Sequence, residues 1–182
     1  FSAGMFNALD QGLAFKIVGS MGISPGDPEN SPTALEVSQE LIDDGTITTV
    51  ADLKGHKIGV AGGPGATGGY LLAAMLEEAG LTLNDVEVSN LSTPDQEPAI
   101  ANGSVSAATP SAPFSTAMEE AGIASPLAVP KQGTTGTGVL YSETFVGGET
   151  AQACFSALAK GSQELSADGN QTDEVYQILA DA

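Results

Sequence analysis

The sequence predicts an α/β protein, and two observations carry that prediction. Between residues 50 and 129, short runs rich in β-branched residues alternate with helical stretches of about ten residues, the spacing of right-handed βαβ crossovers around a parallel sheet. Between the first of these strands and its helix stands a glycine-rich turn, GGPGATGG at 62–69, where an open α/β sheet brings its backbone close to a ligand.

The elements follow in order. Residues 2–11 read as a helix and 15–18 as a strand, and 22–32, with three Pro and two Gly, as a loop or crossover. Residues 57–61 (KIGVA) form the first strand of the regular region. The helix over 70–79 sets Leu72, Met75, Leu76 and Ala79 at i, i+3, i+4 and i+7, and Gly80 stops it. Residues 86–88 are the next strand. Ser92-Thr93-Pro94-Asp95 opens a helix through Asn102 that Gly103 ends, and 104–109 is a third strand. Pro113 starts a helix to Ala121, Gly122 caps it, and 126–129 supplies a fourth strand. Beyond Pro130, the Gly/Thr-rich stretch 133–138 is a second connector and 139–141 a strand. Residues 149–165 form a helix with Ala151, Cys154, Phe155 and Leu158 on one face, which places Cys154 in a core, and 173–180 is a last short helix.

Composition removes several function classes. The 182 residues are 41% hydrophobic, enough for a core, yet the longest apolar run is only a few residues, so none can span a bilayer. Acidic residues outnumber basic ones 23 to 5, and a net charge of −18 without any Arg excludes nucleic acid as a partner. Cys154 has no partner for a disulfide, and with His56 the only histidine no metal or cofactor site is expected. The acidity has two readings: a solvated, halophilic surface or an interaction surface for cations. Dispersal of the carboxylates in pairs, as at Asp43-Asp44, Glu77-Glu78 and Glu119-Glu120, favours the first.

In an open parallel sheet the ligand lies beyond the carboxyl ends of the strands, which selects the loops 63–68, 91–95 and 109–111. The binding residues expected there are Gly65, Ala66, Thr67, Gly68, Thr93, Asp95, Thr109 and Ser111. The glycine turn lacks the Lys of a P-loop. Its formal G-x-G-x-x-G match leaves a ligand contact, a purely structural turn and a dinucleotide site as readings. Asp95 is either a ligand contact or N-terminal helix charge. His56, in the turn before the first strand, falls at the opposite end of the sheet, where it is expected to be solvated. No Ser occupies a G-x-S-x-G elbow, so no catalytic residue is expected.

The run A-D-L-K-G-x-K-I-G-V at 51–60, the glycine turn, YLLAAMLEEAGLTLNDVEV at 70–88, LSTPD at 91–95 and the A-x-G-x-V-x-A-A strand together resemble the extracytoplasmic solute-binding proteins of ABC importers. The similarity is to the branch serving nitrate, sulfonate, bicarbonate and thiamine-pyrimidine precursors. The resemblance implies a type II periplasmic-binding-protein fold, two lobes closing by a hinge over a small polar solute that is passed to a membrane permease. It implies residues 34–128 as a complete second lobe, and 1–33 and 129–182 as parts of an incomplete first lobe. By the same resemblance the protein is a monomer, periplasmic or lipid-anchored, and a piece of something longer, in keeping with its opening Phe1-Ser2-Ala3-Gly4. An enzyme on the same fold, of the thiamine-precursor type, and a ligand-sensing domain are the alternatives. Three departures bear on the solute: Ser106 where many members have Asp, Ser111-Ala112 in place of an aromatic-acidic pair, and Ser38-Gln39 in place of Arg-Lys.

Overall fold

A computed structural model describes residues 2–28 and 31–166, and contacts divide the chain into two units. The larger comprises residues 1–13 and 19–139, the smaller 14–18 and 140–182. The smaller unit holds most of β1 (Phe15–Ser20) and β7 (Gly138–Ser142), which pair as a two-stranded sheet, and α6 (Glu149–Ser166). The larger holds α1 (Ala3–Asp10), β2 (Leu35–Ser38), α2 (Gln39–Asp43), β3 (Lys57–Val60), α3 (Thr67–Glu78), β4 (Glu87–Asn90), α4 (Thr93–Ala101), β5 (Ala107–Ala108), α5 (Phe114–Glu120) and β6 (Ala124–Ala128).

In the larger unit one five-stranded sheet runs in the order β4-β3-β5-β2-β6. The parallel pairs expected from the βαβ spacing are present, β3 with β4 and β3 with β5. The sheet as a whole is mixed, because β2 lies antiparallel between β5 and β6. This strand, LEVS, carries no helix-strand alternation on its N-terminal side that would announce it, and it enters from the 22–33 connector rather than through a βαβ crossover. Its reversal puts its start, beside Thr33, at the same edge as the ends of β3 and β5.

Strand alternation sorts the core into two clusters. Leu35 and Val37 of β2, Ile58 and Val60 of β3 and Ala107 join Leu72, Met75 and Leu76, so the predicted apolar stripe is buried except for Ala79, which is half-buried at the C-cap of α3. Ala108 joins Ala99 and Ile100 of α4 and Met118 of α5 in the second. The two strands β3 and β4 are each entered from a 3₁₀ turn with the same Thr-x-x-Asp capping box. In the first, Asp52 Oδ2 accepts the N–H groups of Thr48 and Thr49 at 3.0 and 2.8 Å and their hydroxyls at 3.1 and 3.0 Å. These donors hold its carboxyl down at about 2. In the second, Asp85 accepts the Thr82 N–H at 3.0 Å and its hydroxyl at 2.9 Å, and pairs with Lys54 at 3.3 Å.

Cys154 corrects an expectation. It is exposed, as are Phe155 and Leu158, and Ala151 alone of that predicted face is buried. In the described part of the smaller unit two strands offer too little surface to cover an 18-residue helix. Tyr141 sits beside it, donating to the Ala151 carbonyl at 3.2 Å, and a hydrogen bond with Cys154 pushes its phenol up. The helix expected at 173–180 lies outside the described residues. Among the described residues no helix is long and apolar enough to cross a membrane.

Candidate functional site

The glycine turn takes its shape from specific glycines. Gly62 and Gly63 have φ of +78° and +71°, which side chains disfavour. Gly68 and Gly69 make close approaches instead: a Cβ on Gly69 would stand 2.4 Å from the Pro64 carbonyl oxygen, and one on Gly68 2.9 Å from Val60 Cγ1. Gly65 is not among the constrained positions, since a Cβ there meets only the Ala3 methyl at 3.4 Å. Its carbonyl accepts the Ala3 N–H at 2.7 Å, tying α1 to the turn. The turn delivers the chain into α3 at Thr67, three residues earlier than the apolar period indicates. Its N-cap is Ala66, whose methyl cannot accept the hydrogen bond that Ser, Thr or Asp would.

At this edge of the larger unit lies an open cavity of about 430 Å³, within the usual range of small-molecule sites. It is lined by Ala61, Thr67, Gly68 and Leu71 from the first loop and α3, Thr93 from the second loop, and Thr109 and Ser111 from the third. Of the residues expected to bind, Thr67, Gly68, Thr93, Thr109 and Ser111 thus meet in one cavity. Gly65, Ala66 and Asp95 stand outside that lining. The Asp95 carboxylate accepts the Ser92 hydroxyl at 2.5 Å, at the start of α4.

Thr109 is the most informative of these residues. It is 6% exposed, and its Oγ1 has no hydrogen-bond partner. That oxygen lies 3.5 Å from where a Cβ on Gly68 would stand, so it faces the first turn of α3. A buried hydroxyl without a partner costs free energy unless something else satisfies it.

The rest of the lining was not legible as a site. Gly22, Ile23, Ser24, Ser31, Pro32 and Thr33 come from the first connector, and Pro130, Thr134, Gly136 and Thr137 from the second. The connectors are laced together: Ser24 N–H donates to the Thr134 carbonyl at 2.8 Å, Gly133 N–H to the Ser24 carbonyl at 3.1 Å, and the Ser24 hydroxyl to the Pro130 carbonyl. Thr33 bridges Ser111 across the edge of the sheet. The available signal was the recurrence of Ser and Thr in both connectors. Among the described residues no charged side chain lines the cavity.

His56 lies at the other end of β3, as expected, but it is not simply solvated. It is half-buried, and its Nδ1 is 2.8 Å from Ser106 Oγ. Ser106 thereby gives the ring a partner that a turn histidine has no sequence signal for.

A mixed sheet with one reversed strand, flanked by helices on both faces and carrying its cavity beyond the ends of its parallel strands, defines the type II periplasmic-binding-protein class. The alkanesulfonate-binding protein SsuA from Xanthomonas axonopodis pv. citri, solved bound to MOPS, is 25% identical with a TM-score of 0.66, over 87% of this chain and 52% of that one. SsuA from Escherichia coli, an aliphatic sulphonate binding protein, is 26% identical with a TM-score of 0.65, over 86% and 48%. The nitrate-binding protein NrtA from Synechocystis PCC 6803 shares the fold, with a TM-score of 0.69 at 13% identity over 98% of this chain and 49% of that one. The family model described as NMT1/THI5 like matches residues 33–168, and the chain belongs to that family. It spans about half the length of the solved structures it matches. Among curated proteins none matches it.

Proposed function

We propose that this chain supplies the second lobe and connectors of an ABC-importer solute-binding protein, and that a small polar solute binds in the cavity at the sheet edge. In this reading 34–128 is the second lobe, and 1–33 and 129–182 belong to the first. The lobes close over the solute outside the cytoplasmic membrane, and a monomer hands it to a permease. Thr67, Gly68, Thr93, Thr109 and Ser111 are the second-lobe contacts, with Ser24, Thr134 and Thr137 joining from the connectors. Gly65 ties α1 to the turn through its carbonyl, Ala66 precedes α3 as its N-cap, and Asp95 holds the start of α4.

The observation that carries the reading is the unpartnered, buried Thr109 hydroxyl facing the N-terminus of α3. Backbone N–H groups and hydroxyls satisfy the oxygens of a polar head group, and the helix dipole favours negative charge by about 0.3–1 kcal/mol. Relatives named for alkanesulfonates and nitrate support an oxygen-rich head group. Ile23, Leu71 and Pro130 offer an apolar wall for a short tail. The test is calorimetry of the chain against small alkanesulfonates, carboxylates, nitrate, neutral polyols and amines. Binding of an oxyanion that weakens in Thr109→Val supports the reading. Preference for an amine, or affinity indifferent to Thr109→Val, rejects it.

A further inference from the structure

Glu36 is the anomaly of the core. It is fully buried on β2, between β5 and β6, and neither carboxyl oxygen receives a hydrogen bond from a donor group. Its place is set by register: Gly59, Ala108, Glu36 and Pro126 form one row across β3, β5, β2 and β6. The small residues at 59 and 108 leave room for its side chain on the face of the second apolar cluster. Pro126 has no N–H to offer. Gln96 is buried on the same face with its Cγ 3.7 Å from a Cβ position on Gly59; its Nε2 donates to the Leu91 carbonyl at 3.3 Å and its Oε1 has no hydrogen-bond partner.

No cation is at hand either. The elements packed against β2 carry Glu40 and Asp43 on α2, Asp95 and Glu97 on α4, and Glu119 and Glu120 on α5, while β5 and β6 carry no titratable group. None of these elements has a Lys, Arg or His. Of the carboxylates it is Glu119 that bears on Glu36, by its charge and as a side-chain hydrogen-bond partner that favours the protonated form. An ionised carboxylate in this position would be desolvated, undonated to and repelled.

We propose that Glu36 is a buried proton site, carried neutral in the folded sheet, and that its ionisation loosens the edge of the sheet that holds Thr109 and Ser111. The coupling is short. The register partner of Glu36 is Ala108, the residue before Thr109, and β2 begins two residues after Thr33, which bridges Ser111. Burial and Glu119 together push the Glu36 carboxyl up to about 8, so the proton leaves on the alkaline side of neutrality. The proton site itself stands apart from the solute-binding reading; only its consequence for a solute rests on that reading.

The test is an NMR titration of the isotope-labelled chain, following glutamate carboxyl carbons and the amides of Thr109 and Ser111. One glutamate is expected to titrate far above the rest, to vanish in Glu36→Gln and to move down in Glu119→Gln, with the two amides following the same curve. In Glu36→Gln the amides should lose that pH response. If every glutamate titrates below about pH 6, the proposal is overturned. A high titration at Glu36 that leaves both amides unmoved overturns the coupling. Should Glu36→Gln fail to fold, the exposed Glu119→Gln decides by the direction of its shift. None of these readouts uses a solute, so a result that rejects the proposed function leaves this one intact.

Discussion

Gly69 stands against Pro64 so closely that a Cβ at 69 would lie 2.4 Å from the Pro64 carbonyl oxygen and 2.6 Å from its carbonyl carbon. Backbone on both sides leaves nothing flexible to move. Gly69→Ala is therefore expected to lower stability by about 1–3 kcal/mol, whereas Gly65→Ala, meeting only a methyl at 3.4 Å, should stay within about 0.5 kcal/mol. Urea unfolding of both variants checks the contrast; equal losses would mean the turn is shaped by something other than these contacts.

Thr109→Val should separate binding from stability. It removes a buried hydroxyl that lacks a partner, so stability should hold or rise by up to about 1 kcal/mol while solute affinity falls roughly tenfold. Thr67→Ala is expected to weaken binding by a similar factor, about tenfold, with little cost in stability. Calorimetry beside thermal unfolding reads both quantities.

The complementary control is His56→Ala. Loss of the 2.8 Å contact with Ser106 at a half-buried site should cost about 1 kcal/mol of stability. Solute affinity should not change, because the pair lies at the end of β3 away from the cavity. Loss of affinity without loss of stability would contradict the sheet polarity described above.

Glu36 gives the unfolding free energy a defined pH dependence. Its folded value, about 8, lies above its ordinary 4.5, so between these limits the native state holds a proton that the unfolded chain releases. The contribution is complete below about 4.5 and is lost as pH rises through about 8, with a slope of at most about 1.4 kcal/mol per pH unit. General carboxylate repulsion acts in the same sense, so the difference between the chain and Glu36→Gln is the quantity to measure. Asp52 acts oppositely: its depressed carboxyl contributes stability above its ordinary value of 3.8, lost as pH falls through about 2.

If the acidity is an adaptation to salt, molar KCl should raise the unfolding midpoint by screening the net charge of −18. A neutral osmolyte serves as the control for solvent effects on burial. An equal rise in both would assign the effect to burial rather than charge.

Local rules made much of this molecule legible in advance. The stripe Leu72, Met75 and Leu76 named the buried face of α3, and the βαβ spacing gave the parallel pairing of β3, β4 and β5, because both depend on periodicity within a segment. The loops after those strands could be picked out as a candidate site for the same reason, and of the eight residues named there Thr67, Gly68, Thr93, Thr109 and Ser111 share a cavity while Gly65, Ala66 and Asp95 do not line it. Pairings between distant segments were decided only in three dimensions. The reversal of β2, the lacing of the connectors through Ser24 and Thr134, the hydrogen bond between His56 and Ser106 and the isolation of Glu36 each join residues whose local sequence carries no record of the partner. Cys154 marks the same boundary from the other side: its place in a helix was readable, but whether anything covers a face depends on the neighbouring elements, and among the described residues these leave it exposed.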